Sequence, residues 1–221
     1  MGFVEREATP RGAMDLGIRL HLAGLSLADT ASILARFGVE RHRTTVHTWV
    51  KKADLQPAAG CQPTHVALDE TVIWINDEQF WLFAAVDPAT NRLLHVRLFP
   101  TRTTALTSIF LAELREKHHV DDAVFLVDSA SWLKAALHRH RLEFRYEKHG
   151  SRNSVERVFR EVKRRTRQFS NCFSHVNPST AESWLQALAA HHNALIYLTS
   201  HLRRTCLRSG ASAHRDSGLG W

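Results

Sequence analysis

HVALDETVIWINDEQFWLFAAVDPATNRLLHVRLF, residues 65–99, is the stretch that decides the fold class. His65–Ile75 is rich in β-branched residues and partly alternating, and Asn76-Asp77-Glu78 has turn chemistry. Phe80–Val86 is a second apolar run, Asp87–Asn91 a second turn, and Leu93–Phe99 a third run. Half-buried strands favour residues of this kind, and Asn, Asp and Pro between them break the chain into turns. Three strands joined by such short turns predict an antiparallel meander.

Reading toward the C-terminus, Ala105–Lys117 is an amphipathic helix with Leu106, Ile109, Phe110 and Leu114 on one face. Ala123–Val127 is continuously apolar, as a strand covered on both faces would be. Trp132–His140 reads as a helix, Glu143–Tyr146 as a short strand, Val155–Arg167 as a basic helix and Glu182–His201 as a long helix. The order is βββ-α-β-α-β-α-α. That is the ribonuclease-H arrangement, an α/β fold with a mixed five-stranded sheet and covering helices.

Toward the N-terminus the texture is all helical. Met14–Ala23 carries Leu16, Leu20 and Ala23 on one side. Ser26 with Asp29 suits a capping box for Leu27–Phe37, whose apolar face holds Leu27, Ala31, Leu34 and Phe37. Thr44 suits the cap of a third helix through Lys52, with Val46, Trp49 and Val50 inward and Thr45, His47, Thr48 and Lys51 outward. Three short helices with a polar last face fit a helix-turn-helix, or a small dimerisation module. The expected organisation is therefore a helix-turn-helix unit over 1–52, a Pro/Gly-containing linker over 53–63, a ribonuclease-H-like core over 64–202 and a loose tail over 203–221.

Composition narrows the partners. The 29 Lys and Arg exceed the 22 Asp and Glu for a net +7, which favours a polyanion. The run Lys163-Arg164-Arg165, with Arg160 and Arg167 beside it, concentrates that charge. Cys61, Cys172 and Cys206 form no CxxC pair and suit reduced thiols in a cytoplasmic protein. No apolar run approaches the roughly 18 residues of a membrane span, and the first residues lack a signal-peptide apolar core. HExxH, GxSxG and Walker sequences are absent, which argues against zincins, serine hydrolases and P-loop enzymes.

Three carboxylates stand where chemistry belongs. Asp69 lies inside an apolar strand, where a charge needs a metal, a proton or a cation to compensate it. Asp128 follows the buried strand, at the strand end where α/β folds place their sites. Glu156 opens the basic helix. Oxygen-only ligands suit Mg²⁺, and two such ions can serve an in-line phosphoryl displacement. Each residue also has a local use: Asp69 can pair with an arginine, Asp128-Ser129 can cap the next helix, and Glu156 sits at capping-box spacing from Asn153. On the helix, Glu156 and Glu161 flank the stripe Val155, Val158, Phe159 and Val162 almost symmetrically, so periodicity does not choose between them.

The sequence resembles the DDE transposases of insertion sequence family six, particularly their short branch in halophilic archaea. The matching text is THVALDETVIWINDEQFWLFAAVDPATNRLL around Asp69, VFLVDSASWLKAAL around Asp128 and HGSRNSVERVFREVKRRTRQFSNCF around Glu156, with GLSLADTASILARFGVERHRTTVHTWV resembling the helix-turn-helix. The resemblance covers roughly residues 14–200. It implies Asp69, Asp128 and Glu156 as the ligands of two Mg²⁺ ions, with Mn²⁺ able to substitute. The interval from Asp128 to Glu156 is shorter than is usual in that family, as if the connection before the last catalytic helix had been trimmed. The expected partners are terminal inverted repeats and target DNA, bound by a homodimer or larger assembly in the cytoplasm, at the nucleoid. Arg43, Thr45, His47, Thr48 and Lys51 are the expected DNA contacts of the N-terminal unit, and Arg160, Lys163, Arg164 and Arg167 those of the core. A DNA-binding remnant without catalysis and a ribonuclease-H-like nuclease are the alternatives.

Overall fold

The computed structural model describes residues 8–147, 150, 153–167, 173 and 175–212, excepting the side chains of 166–167 and 200–212. Its centre is a five-stranded sheet of β1 (His65–Ile75), β2 (Glu78–Asp87), β3 (Arg92–Phe99), β4 (Val124–Val127) and β5 (Phe144–Tyr146), in the order β3-β2-β1-β4-β5. The first three strands pair antiparallel, and β4 and β5 pair parallel to β1 and to each other. The meander closes at a two-residue turn in which Asn76 and Asp77 have φ of 51° and 64°. A hairpin turn with both central residues at positive φ matches the strand twist, and Asn and Asp tolerate that region. At the second turn Asp87 accepts hydrogen bonds from Ala89 N–H (2.9 Å) and the Thr90 hydroxyl (2.6 Å).

Strand alternation sorts the core into two layers. Val66 and Leu68 face α4 (Thr104–Lys117) and α5 (Ser131–His140), packing with Phe110, Leu114 and Leu133. Ala67, Ile73 and Ile75 face α6 (Asn153–Arg167) and α7 (Pro178–Ser212), packing with Val155, Val158, Phe159 and Val162. The sheet is therefore covered on both sides, and its order is that of ribonuclease-H folds. Helix α7 also closes the free edge of β3. Asn193 pairs with both backbone groups of Leu93 (2.8 and 2.7 Å), and Glu182 accepts from Leu98 N–H (3.0 Å). An open edge strand invites pairing with another chain, and these side chains occupy its backbone groups instead.

The N-terminal helices α1 (Arg11–Ala23), α2 (Leu27–Arg36) and α3 (Arg43–Lys52) share a small core of Met14, Ile18, Leu22, Leu34, Val46 and Trp49. Ala187 of α7 completes it. Gly17 lets α1 pack closely there, since a Cβ on it would sit 3.0 Å from Leu34 Cδ1 and 3.2 Å from Trp49 Cζ3.

Several expectations are corrected. The buried side of α1 is Met14, Gly17, Ile18 and Leu22, while Leu16 is exposed, because the contact point is the glycine. Phe37 caps α2 from solvent and Ile109 is exposed on α4. His42, not Thr44, caps α3, its Nδ1 accepting from Thr44 N–H at 3.4 Å. The tail expected from Arg203 is helical through Ser212, because extending an existing helix fixes one residue per hydrogen bond gained and needs no new nucleus. No described helix is long and apolar enough to cross a membrane.

Candidate active site

The parallel pairing of β1 with β4 runs His65–Val124, Val66–Phe125, Ala67–Leu126. Continued by two residues, it sets Asp69 beside Asp128. The pairing of β4 with β5 ends at Val127–Tyr146, and one further step sets Glu147 beside Asp128. Paired residues of parallel strands point to one face, here the α6 face that Ala67 occupies. Asp69 Oδ1 accepts from Glu70 N–H (2.9 Å), and Asp128 Oδ1 accepts from Ala130 N–H (2.8 Å), closing the turn into α5. Ala130 heads α5 without a side-chain cap, so Asp128 also fulfils its local structural role. Glu147 accepts from Arg145 Nη2 at 2.9 Å.

Glu156 stands exposed on α6, across an open cleft of about 500 Å³ from β1. Asp69, Thr71, Glu156, Arg160, Lys163 and Arg164 line this cleft. Glu161 does not. It lies on the other flank of α6, bound by Arg164 (2.9 and 2.7 Å), with Arg165 Nε at 3.7 Å. Those arginines hold its carboxyl below the usual carboxylate range. Of the two carboxylates that periodicity left tied, Glu156 is the one that shares a cleft with Asp69.

Glu70, which sequence reasoning passed over, lies on the opposite face of β1 with a side chain only 4% exposed. Its Oε1 accepts from Trp132 Nε1–H (3.2 Å) and meets Arg102 at 3.5 Å, while Oε2 is buried without a hydrogen-bond partner. Arg102 is itself held between the rings of Trp81 (3.9 Å) and Trp132 (4.5 Å). Burial, with repulsion from Asp69 and Asp128, pushes the Glu70 carboxyl up to about 7, against the pull of Arg102 and Trp132. This end of the sheet thus brings Asp69, Glu70 and Asp128 near enough to one another for their charges to interact. An all-oxygen carboxylate set fits a hard divalent cation. Among the described residues, however, no group of three carboxylate, histidine or cysteine side chains is drawn to metal-ligand spacing. The donor chemistry fits the ion, and the set stands open.

The expected DNA contacts are placed as follows. Arg43, His47, Thr48 and Lys51 are exposed on α3, and Thr45 is half-buried. The Thr48 hydroxyl donates back to Thr44 O at 2.9 Å. Arg160 and Arg164 are exposed and Lys163 half-buried along the cleft. The Arg167 side chain and Cys172 lie outside the described residues.

No protein-family model matches the sequence. The chain is 29% identical over 203 residues to an uncharacterized protein of Methanocaldococcus jannaschii, covering 89% of this chain and 94% of that protein. Among solved structures it is similar to the catalytic core domain of BIV integrase, with TM-score 0.44 and 16% identity over 65% of this chain and 99% of that one. It is also similar to the HTLV-2 integrase catalytic core domain in complex with magnesium, with TM-score 0.40 and 15% identity over 58% of this chain and 85% of that one.

Proposed function

We propose that this chain is a DDE transposase, which binds the terminal inverted repeats of an insertion sequence, cuts DNA and joins the 3′-hydroxyl end to target DNA. The observation that carries this reading is the cleft between β1 and α6. Asp69 and Glu156 line it together with Arg160, Lys163 and Arg164, and the strand register brings Asp128 beside Asp69. Carboxylates alone repel a phosphodiester, and cations alone bind it without reaction. Together they form a surface that holds the DNA backbone against an acidic centre.

Asp69, Asp128 and Glu156 are the residues that would hold two Mg²⁺ ions, or Mn²⁺ in their place. Such ions, when bound, stabilise charge on the attacking and leaving oxygens of a phosphoryl displacement. Arg160 and Lys163, about one helical turn apart on α6, neutralise phosphates and fix the register of the strand. The N-terminal helices act as a helix-turn-helix, with α3 presenting Arg43, His47, Thr48 and Lys51 to repeat DNA. A dimer or larger assembly pairs the two ends.

The test is incubation of the full chain with candidate repeat ends, target duplex and Mg²⁺, followed by a denaturing gel for joined strands. Joined product that disappears with Asp69→Asn supports the reading. The alternative is a DNA-binding remnant without catalysis. Repeat binding with neither cleavage nor joining would establish that alternative.

A further inference from the structure

A separate cavity of about 360 Å³ lies between the N-terminal helices and the core, away from the cleft of Asp69 and Glu156 and sharing with the proposed repeat-binding face only Arg43 and His47. Its floor is apolar and ring-lined. Phe173 and Trp184 meet edge to face at 5.7 Å, and Trp184 Nε1–H donates to His21 Nε2 at 3.3 Å. Arg43 and His47 of α3 line it from the exposed side, Arg165 of α6 lines it from within with Glu161 at 3.7 Å, and no Asp or Glu is among its described lining residues. Arg165 is only 5% exposed, and its guanidinium lies so close against Gly24 that a Cβ there would collide with it.

His21 reports on the same charge. Its Nδ1 bonds Leu25 O at 2.9 Å while Nε2 accepts from Trp184, a pattern that fits the neutral ring. Burial holds its pKa below the usual histidine value against the pull of the Leu25 carbonyl, and His47 and Arg165 lower it further. Basic side chains from α3 and α6 thus meet around one cavity. A cationic wall draws an anion, and an apolar floor edged by rings draws a flat heteroaromatic body. The two demands together describe a nucleotide, and the volume lies in the range of small-ligand sites.

We propose that this cavity takes one unstacked nucleotide of a bound DNA strand, with its base on the Phe173–Trp184 floor and its phosphate at the exposed Arg43 and His47. The assignment rests on the DNA-processing reading for the source of the strand, and on the cavity's own chemistry for the mode of binding. The experiment is fluorescence anisotropy of the full chain, without divalent ions, on a short oligodeoxyadenylate and on an abasic strand of equal length and charge. Wild type should prefer the base-bearing strand by about 5- to 150-fold, the range of one base–aromatic stack.

Ala28 is exposed and lines the cavity, so Ala28→Trp should plug it and abolish the preference without lowering the melting temperature. Arg43→Gln should weaken both strands by a similar factor. Photocrosslinking of a bromodeoxyuridine strand should map to the segment from Phe173 to Trp184, which keeps the proposal testable even if Ala28→Trp folds poorly. Equal affinity for the two strands in wild type, a preference that survives in a folded Ala28→Trp, or a crosslink mapped elsewhere would overturn the assignment. Base preference without strand joining sinks the transposase reading and leaves the cavity standing, and joining without base preference does the reverse.

Discussion

Glu70→Gln exchanges a carboxyl for an amide of the same shape at a side chain 4% exposed. The carboxyl it removes titrates near 7 in the folded protein against an ordinary 4.5, chiefly through burial and then through Asp69 and Asp128. A raised carboxyl binds its proton more tightly in the folded chain than in the unfolded one. Its contribution is therefore complete below about pH 4.5 and is lost as the pH rises through about 7. An interval of that width corresponds to about 3 kcal/mol. For a chain of this size each kcal/mol moves the melting temperature by about 2–4 °C, so the full effect is about 6–12 °C.

Glutamine is neutral throughout and lacks this slope. Its extra amide hydrogens face the side where Oε2 has no partner, which adds a penalty of about 1 kcal/mol that does not vary with pH. The melting temperature of Glu70→Gln minus that of wild type, measured in chelator, should be near zero or slightly negative at pH 5. It should rise by about 6–12 °C by pH 8.5. Added Mg²⁺ should narrow the gap at pH 8.5, because a cation on Asp69 and Asp128 offsets the repulsion that Glu70 feels. A gap that stays constant with pH, or that closes as pH rises in chelator, refutes the reasoning.

Asp69→Asn and Asp128→Asn should each reduce strand joining by orders of magnitude while repeat binding, read by gel shift, persists; near wild-type joining in either variant removes it from the acidic centre. Glu156→Gln should abolish Mg²⁺-dependent cleavage and Glu161→Gln should retain it, with melting curves run on both, and the opposite pattern would exchange their roles. Gly24→Ala places a side chain at φ 125° against Arg165, which should lower the melting temperature by the equivalent of about 1–3 kcal/mol. An unchanged melting temperature there would mean that residue 24 does not hold the positive φ described.

Much of the architecture was legible because its signals are local. The alternation in β1, the Asn76-Asp77 turn and the apolar β4 each specify an element within a few residues, and the element order then points to the sheet. What was misread depended on distant partners. The inward side of α1 was taken from its leucines, but the helix meets Leu34 and Trp49 at Gly17, and periodicity weighs a glycine as nothing. The N-terminal unit looked self-contained, yet Ala187 and Trp184 of α7 finish its core. No window shorter than the whole chain contains that information. The cap of α3 was assigned to Thr44 because a histidine ring nitrogen is not among the favoured N-cap acceptors.

The site divides in the same way, and Arg165 shows why. In the sequence it is one member of a basic run, and such runs are ordinarily solvated. In the fold it extends the buried stripe of α6 by one more turn, after Val155, Val158, Phe159 and Val162. Its position leans toward the Glu161 flank, since four residues advance about 400° around a helix. Buried beneath Gly24, it turns that flank toward the N-terminal helices and, with Arg164, holds the Glu161 carboxylate. The opposite flank, with Glu156, Arg160 and Lys163, is left facing Asp69 across the cleft. The near-symmetry of the two glutamates is thus broken in the fold by what each flank faces, and in the sequence only the row of Arg160, Lys163 and Arg167 behind Glu156 leans toward it. Glu70 is the complementary case. Strand parity alone places it behind Asp69, but its unusual proton affinity arises only when Asp128 and Trp132 arrive from β4 and α5.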